Sequence, residues 1–424
     1  MLGGIYLKLL EVVWNFPNTV MKPFDMYYFY WPLKEALRRG WEAEVLTFQV
    51  ESHQPEEEMI DGIHVRRCPA NGRKGRIWSP AFFRALITTN ADIIHFHGYG
   101  EGRRELAILI ARLKQLTRLK QHHIVFSPHF HSSYPARRLR RELYDEIIGR
   151  QIFNLSDRVI VFTDYTVQLL TKLGVNAARL RVVPHVARPE IFSSSEESAT
   201  RSLLHVAGVA GYPLILGVGQ FIERKGWEYT LRCLPAIVAR FPEAKFLIIG
   251  PSQPAEPQFS QRFFRLAAHL GVSEHVQILH DNSPEFIRDA YRTATVLTHP
   301  SFVESFGMVL IEAMASGLPM VAHNGTGIPY VVDDGKCGYL VDVRDTDIYT
   351  ERLLAILGDA ELQQYMAQEG MRQARDRFSE AKIADLLFNV YEEVIGRATL
   401  DGGRRLEEKR IHSNLWICKQ TQNK

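Results

Sequence analysis

The sequence predicts an α/β protein built from two doubly wound, Rossmann-like domains that face each other across a cleft. Short apolar runs alternate with segments of helical periodicity along most of the chain. A polar stretch at 193–198 separates two blocks of this alternation. The length of 424 residues also exceeds a single core, because domains usually hold ~100–200 residues.

The first block predicts a parallel sheet, because strands that alternate with helices must be covered on both faces. Its predicted helices are 33–39, 105–116, 138–153 and 166–173. Its predicted strands are 6–13, 44–48, 63–67, 92–96, 124–127, 158–162 and 180–183.

The second block repeats the pattern. Its predicted strands are 214–218, 245–249, 276–279, 295–298, 320–322 and 338–341. Its predicted helices are 227–240, 259–270, 284–292, 308–315, 348–357, 361–374 and an amphipathic last helix, 381–395. The chain therefore divides into a first domain (1–188), a linker with the start of the second domain (189–212), the second domain (213–380), a terminal helix (381–397) and a polar tail (398–424).

Composition excludes several classes of protein. Apolar residues make up 46% and charged residues 23%, as in soluble globular proteins. The longest apolar stretches, 106–113 and 213–219, are much shorter than the ~20 residues of a membrane span. The first residues carry Lys8 and Glu11 and read as a strand instead of a signal peptide. The 4 cysteines form no paired motif, which favours a reducing, cytoplasmic location. The 16 histidines form no HExxH motif, so we expect no metal site.

Positive charge is concentrated in the first domain. Residues 1–188 hold 27 Lys+Arg and 18 Asp+Glu, whereas the rest of the chain holds 24 and 30. Two stretches, Arg66–Arg84 and Arg137–Arg141, are especially basic. Each is either a solvated face or a surface that attracts an anionic membrane or a phosphorylated acceptor. No nucleic-acid-binding motif accompanies them, so we expect no nucleic acid partner.

The segment 299–319 is the most informative for function. A strand ends, a turn follows, and a helix begins near Gly307 and stops at Gly317. The unpaired amides of the first helical turn form an anion site suited to a diphosphate. Glu304 precedes the helix and can accept hydrogen bonds from sugar hydroxyls, while Glu312 lies two turns further on, within reach of a ribose.

The same segment resembles a known family. The string Pro-Ser-x-x-Glu-Ser-Phe-Gly, followed by Glu-Ala-Met-Ala-Ser-Gly-Leu-Pro, is similar to the donor-site signature of the family-4 retaining glycosyltransferases, which have the GT-B architecture. Further similarity lies in the segments 92–98, 127–131, 218–226 and 324–329.

The resemblance implies roles for individual residues and a terminal helix that packs back on the first domain. His129 and Glu304 would be the catalytic pair, one from each side of the cleft. His97, Thr163 and Gly327 would line the cleft. The implied donor-binding residues are Gly219, Gln220, Arg224, Lys225, Ser305, Phe306, Gly307, Met308, Val309 and Glu312.

The resemblance also implies the chemistry. Lys225 and the helix N-terminus would neutralise the departing diphosphate, so we expect neither a cofactor nor a metal. Retention would proceed by front-face substitution, in which the departing phosphate takes the acceptor proton. The string Asp345-Thr346-Asp347 resembles a metal signature of another glycosyltransferase fold, but its position predicts a helix cap.

Four positions depart from the family pattern. Gln220 replaces an arginine, His185 an asparagine and Tyr330 a glutamate, and the loop 15–25 lacks a Gly-Gly pair. We expect a cytoplasmic retaining hexosyltransferase that uses a nucleotide-diphosphate sugar, with a glycan or lipid-linked acceptor reached at the inner membrane face, in surface polysaccharide or glycolipid biosynthesis. The alternatives are a nucleotide-sugar-binding protein with little activity and a nucleotide-sugar epimerase.

Overall fold

The computed structural model describes residues 7–14, 27–49, 54–70, 78–116, 122–130, 138–187, 212–250, 256–280 and 283–396. Two sheets with helices on their faces confirm the predicted pair of doubly wound α/β domains. The loop 15–25, His131, most of the linker 189–212 and the tail 398–424 lie outside the described residues.

The first sheet has eight strands in the order β3-β4-β2-β1-β5-β6-β7-β8. All neighbours are parallel except β3 and β4. The strands are β1 (Lys8–Val12), β2 (Glu42–Gln49), β3 (Glu57–Ile60), β4 (Ile63–Pro69), β5 (Ile93–His97), β6 (His123–Ser127), β7 (Arg158–Val161) and β8 (Leu180–Val182). The helices are α1 (Tyr27–Arg38), α2 (Pro80–Thr88), α3 (Arg103–Leu116), α4 (Arg138–Tyr144), α5 (Arg150–Leu155) and α6 (Asp164–Lys172).

The second sheet is wholly parallel, with the order β11-β10-β9-β12-β13-β14. The strands are β9 (Leu214–Val218), β10 (Lys245–Ile249), β11 (Val276–Leu279), β12 (Val296–His299), β13 (Met320–His323) and β14 (Gly338–Val341). The helices are α7 (Trp227–Arg240), α8 (Pro257–His269), α9 (Pro284–Thr293), α10 (Met308–Ala315), α11 (Thr346–Leu357) and α12 (Ala360–Phe378).

The last helix, α13 (Glu380–Val394), packs against the first sheet. Its apolar face, which includes Ile383, Leu387 and Tyr391, shares one core cluster with Leu9 and Val125 of the central strands. Glu393 of the same helix accepts hydrogen bonds from Arg158 and Arg181, at 2.6 Å and 2.9 Å. A helix that follows the second domain thus completes the core of the first.

Three features of the first domain differ from the sequence-based prediction. The edge strand β3 was not predicted, and its exposed and half-buried residues, EEMI, carry little apolar signal. Helix α2 was also not predicted, although Ser79 caps it through a hydrogen bond from the Phe82 amide and Pro80 occupies its first turn. The single helix predicted at 138–153 is interrupted by a π-helical turn at Asp145–Gly149.

Two smaller expectations can be compared directly with the structure. The Asp345 side chain accepts a hydrogen bond from the Ile348 amide, which confirms that this residue caps α11. Among the described residues, no helix combines the length and apolarity needed to cross a bilayer.

Candidate functional site

The turn between β12 and α10 forms the centre of the candidate site. Gly307 caps α10 with a φ of 94°, which favours glycine, and an added Cβ would lie 2.7 Å from a Leu310 methyl carbon. The first amides of a helix have no partner within it, so the amides of 306–309 are available to an anion. Gly317 ends the helix with a φ of 69°, and the Leu318 amide donates back to Ala313, as in a Schellman motif.

Lys225 and Glu304, both predicted site residues, form an ion pair in this turn. The Lys225 Nζ lies 3.0 Å from Oε2 of Glu304, and both side chains are mostly buried. Lys225 lies in a short 3-10 turn after β9, and its stem packs beside Gly219, where a Cβ would lie 3.3 Å from the lysine Cε. The sequence motifs 218–226 and 299–319 therefore meet at this ion pair.

The environment of Glu304 favours its ionised form. Burial by itself would raise the pKa of the Glu304 carboxyl, but the neighbouring His299 ring and the Lys225 ammonium outweigh burial and hold the pKa well below its ordinary value. The His299 Nε2 lies 3.6 Å from the carboxylate, and burial lowers the pKa of that imidazole. Glu304 is therefore a carboxylate at neutral pH and can accept hydrogen bonds from hydroxyl groups.

The glycine-rich loop after β13 braces this turn from the other side. The Glu304 amide donates to the Thr326 hydroxyl at 3.1 Å, and the Gly327 amide donates to the Glu304 carbonyl at 2.8 Å. A Cβ on Gly327 would lie 2.2 Å from the carbonyl oxygen of Ser305. Only glycine fits there without moving the backbone, so Gly327 fixes the position of Glu304.

Arg224 and Gln220 occupy structural positions beside the ion pair. The Arg224 guanidinium donates to the Val303 carbonyl at 3.0 Å and so ties the turn after β9 to the turn before α10. The Gln220 carbonyl accepts a hydrogen bond from the Trp227 indole, while its side chain is exposed. Gly226, which follows Lys225, has a φ of 72° and packs on the Pro300 carbonyl.

Glu312 lies two turns along α10 and is buried. Its Oε2 accepts a hydrogen bond from the Tyr291 hydroxyl at 2.9 Å, so α9 holds this carboxylate in place. The ribose contact that the resemblance implies for Glu312 stays a prediction.

The first domain reaches the same turn. The Thr163 hydroxyl, which also caps α6, donates to the Ser305 carbonyl at 3.0 Å. Phe306 is buried, and its ring contacts the ring of His185 at a centroid distance of 5.2 Å. Ser305 and Phe306 therefore join the two domains next to Glu304.

Four histidines lie on the first-domain side of the cleft. His95, His97, His129 and His185 line a cavity of about 40 Å³ together with Phe162 and Leu387. His97 and His129 contact each other, with 3.4 Å between Nδ1 and Nε2. His185 stacks on Phe162 at a centroid distance of 3.8 Å. The structure thus groups the predicted His97 and His129 with His185, which the sequence comparison treated only as a departure.

A buried carboxylate anchors these histidines. Glu11 of β1 is fully buried, and its two oxygens contact His95 Nδ1 at 3.2 Å and His97 Nε2 at 2.5 Å. Tyr391 of α13 donates to the same carboxylate at 3.2 Å. Sequence reasoning missed Glu11, although a carboxylate within the apolar run 9–13 is the signal that marks it.

Glu11, His95 and His97 also have the spacing of a metal site, the one such group found among the residues that the structure describes. Each potential ligand atom already has a hydrogen-bond partner within the cluster or on Tyr391. This arrangement satisfies the buried charge without a metal, and we interpret it as a hydrogen-bonded network.

Family models match both halves of the chain. The model described as glycosyl transferases group 1 matches residues 207–373, and the glycosyl transferase 4-like domain matches residues 28–185. Together they span most of the sequence and contain both sides of the cleft. The chain therefore belongs to the family-4 glycosyltransferases of GT-B architecture.

Curated relatives of this chain are also named as glycosyltransferases. The D-inositol 3-phosphate glycosyltransferase of Nocardia farcinica is 28% identical over 411 residues, which cover 90% of this chain and 88% of that protein. The protein of that name from Corynebacterium jeikeium is 32% identical over 252 residues, covering 58% of this chain and 60% of the relative.

Solved structures agree with the fold. Sucrose-phosphate synthase from Thermosynechococcus elongatus has a TM-score of 0.71 at 20% identity, over 92% of this chain and 99% of that chain. A HepE protein of Anabaena, solved with UDP and glucose, has a TM-score of 0.69 at 18% identity, over 92% and 100%.

Proposed function

We propose that this glycosyltransferase moves a hexose, with retention of configuration, from a nucleotide-diphosphate sugar to a glycan or lipid-linked acceptor. The observation that carries the proposal is the Lys225–Glu304 pair at the N-terminus of α10, where a cation, a carboxylate and free helix amides converge. Such a set can hold a diphosphate and a sugar at once. The pathway we favour is the synthesis of a surface polysaccharide or glycolipid.

The donor and the acceptor account for every bond broken and formed in the proposed reaction. The bond between the sugar C1 and the donor phosphate oxygen breaks, and a bond from C1 to the acceptor oxygen forms on the same face. The acceptor proton passes to the departing phosphate oxygen. Lys225 and the α10 amides stabilise the negative charge that develops on the diphosphate, so the proposed reaction requires no cofactor and no metal.

The two sides of the cleft contribute different residues to the proposed reaction. Glu304 holds donor-sugar hydroxyls from the second domain, and His129 faces the sugar from the first. Thr163 and Phe306 keep these surfaces together through the contacts described above. The sugar and the acceptor then meet between the domains, away from bulk water.

The proposal also includes a surface that faces an anionic membrane. The burial and the ion pairs of individual arginines limit which residues can belong to this surface. Arg67 is unavailable to lipid, because its side chain is fully buried and forms an ion pair with Glu58. Arg66 is paired with Glu57, at 3.1 Å. In the second basic stretch, however, exposed Arg140 lies close in sequence to Leu143 and Ile147, which are 56% and 61% exposed. Basic and apolar side chains on one exposed segment suit an anionic membrane surface.

Sedimentation with liposomes tests the membrane surface. We expect binding that requires anionic lipid, weakens with salt and is lost in the Leu143→Ser/Ile147→Ser variant. Tyr365→Ser, which removes a similarly exposed side chain from α12 of the other domain, is the control. Equal binding by both variants would contradict the assignment of this surface.

Titration calorimetry without added metal tests the catalytic proposal. UDP-, GDP- and ADP-sugars should be compared first, followed by transfer assays that include D-inositol 3-phosphate, the compound in the relatives' name, among the acceptors. Binding of one donor and transfer of its sugar with retained configuration is the expected result. Donor binding without transfer to any acceptor would favour the nucleotide-sugar-binding alternative.

A further inference from the structure

The carboxylate of Glu11 fixes where the protons of its neighbours lie. Burial would raise the pKa of the Glu11 carboxyl, but the contacts with His95 and His97 outweigh it and lower the pKa to about 2. An ionised carboxylate accepts hydrogen bonds and donates none. His97 therefore carries its proton on Nε2, the atom 2.5 Å from Glu11.

The same reasoning extends one ring further. Burial lowers the pKa of His97 to about 4, so the ring is neutral at pH 7 and its Nδ1 carries no proton. The neighbour of that Nδ1 is His129 Nε2, at 3.4 Å. For these two rings to share a hydrogen bond, the His129 Nε2 must donate, and because burial also lowers the pKa of His129, the Nδ1 of that ring carries no proton and can only accept.

We propose that Glu11 is a positioning residue, which acts through His97 to hold His129 in the Nε2-protonated form and so presents its Nδ1 to a sugar hydroxyl in the cleft. The assignment of the sugar contact rests on the proposed function. The placement of the protons rests on the described contacts and on the ionisation states of the buried groups, and it does not depend on the proposed function.

The backbone and the neighbouring rings hold His129 in the same arrangement. His129, the second residue after β6, has a φ of 51°, in the left-handed region that residues other than glycine seldom adopt. The rings of Phe29 and His97 form a T-shaped pair with a centroid distance of 4.6 Å, and Phe162 packs on His129 at 5.2 Å. Such packing leaves the ring little freedom to break its contact with His97 and turn away.

The other carboxylate oxygen is occupied separately. Oε1 of Glu11 accepts hydrogen bonds from the Tyr391 hydroxyl and from His95 Nδ1. The His95 Nε2 contacts the Ser127 hydroxyl at 2.8 Å. Oε2 is therefore left to His97. The Glu11 carboxylate thus takes part in two sets of hydrogen bonds. One set joins α13 to the sheet, and the other runs through His97 to His129.

Histidine-selective ¹⁵N NMR of the ligand-free wild-type protein tests the proton placement directly. Two-bond ¹H–¹⁵N correlations distinguish the Nδ1-protonated from the Nε2-protonated form of each ring. We expect both His97 and His129 to be Nε2-protonated at pH 7. An Nδ1-protonated ring at either position, or a stoichiometric bound metal that displaces these hydrogen bonds, would overturn the proposal.

The variant test uses Glu11→Gln, since its amide can donate to His97 Nε2 and thereby place the His97 proton on Nδ1. We expect a changed His129 spectrum and a fall in kcat on the order of 10- to 100-fold, with the donor KM changed about twofold or less. Glu393→Gln removes a comparable ion-paired carboxylate from α13 and should lower stability without changing either ring. Equal kcat in Glu11→Gln and wild type would overturn the proposal.

The two proposals fail in different ways. A wild-type protein that binds no nucleotide sugar would contradict the proposed function, whereas the NMR result would still decide the proton placement. If Glu11→Gln does not fold, the wild-type spectrum alone decides.

Discussion

Lys225 and Glu304 are 79 residues apart in sequence, and their charged groups meet at 3.0 Å. The ammonium group that should neutralise a diphosphate thus has a carboxylate partner within the protein. An incoming donor must share or take over this contact, so the carboxylate competes with the phosphate until its own sugar partner arrives. This relationship leads to two separate predictions.

Lys225→Met keeps the aliphatic stem and removes the charge. Hydrogen bonds to charged groups contribute about 1.5–3 kcal/mol, so the affinity for UDP should fall roughly 10- to 150-fold. Calorimetry with UDP measures this loss. Lys336→Met, which removes a lysine from an exposed ion pair with Asp333, is the control. Unchanged affinity in Lys225→Met would argue against a diphosphate contact.

Glu304→Gln should separate nucleotide binding from sugar transfer. UDP carries no sugar, and the variant frees the Lys225 ammonium, so UDP should bind as tightly as to wild type or more tightly. The transfer rate should fall on the order of 100-fold, because the carboxylate no longer holds the donor sugar. Calorimetry and initial rates measure the two effects, with the exposed Glu351→Gln as control. Weaker UDP binding in Glu304→Gln would contradict the competition described above.

Gly327→Ala should disable the site through the backbone. The added methyl group would lie 2.2 Å from the Ser305 carbonyl, so the Glu304 turn and the glycine-rich loop must move apart. We expect a lower Tm and a transfer rate reduced by at least ~100-fold, since small displacements at a reacting centre are costly. Gly271→Ala has open space around it but a φ of 69°, and it should lower only the stability. Similar activities in the two variants would refute the bracing role.

Acid should destabilise the protein through its buried histidines. Burial lowers the pKa of His185 to about 3 and that of His97 to about 4, whereas both protonate near their ordinary value of 6.5 when the chain unfolds. Their contribution to stability is therefore complete above pH 6.5 and is lost as the pH falls towards these folded values. Urea unfolding at pH 7, 5.5 and 4 measures the decline.

A variant assigns part of that decline to one ring. His185→Phe keeps a flat ring against Phe162 and removes the titrating group, so its free energy of unfolding should decline less between pH 6.5 and 4. The exposed His269→Gln should behave as wild type does. A decline of equal size in His185→Phe and wild type would exclude His185 as a source.

The second domain follows its sequence pattern closely. Six of its elements have the predicted bounds, because parallel strands and amphipathic helices carry strong apolar signals: β9, α7, β10, β11, α10 and β14. The first domain departs where that signal is weak. The polar edge strand β3 has no apolar run, and the π turn at Asp145–Gly149 depends on packing that periodicity does not encode.

The sequence likewise predicts one part of the candidate site better than the other. Glu304, Gly307 and the helix they precede belong to one continuous string, so sequence alone brings them together. The contacts of Glu11 depend instead on the sheet. Strand pairing places Glu11 opposite His95 and His97 opposite Ser127, and that register is not visible in any one segment. Sequence reasoning could therefore name His97 and His129 but not the carboxylate that anchors them.

The position of helix α13 in the sequence affects the order in which the protein can fold during translation. Its residues Ile383, Leu387 and Tyr391 complete a core cluster that begins with Leu9, so the earliest and latest described parts of the chain share one interior. During synthesis, the first sheet leaves the ribosome well before its covering helix exists. Its apolar face stays uncovered while the second domain is translated, and apolar surface exposed in this way favours aggregation of a partly folded chain. The first domain can therefore complete its core only after the second domain has been translated.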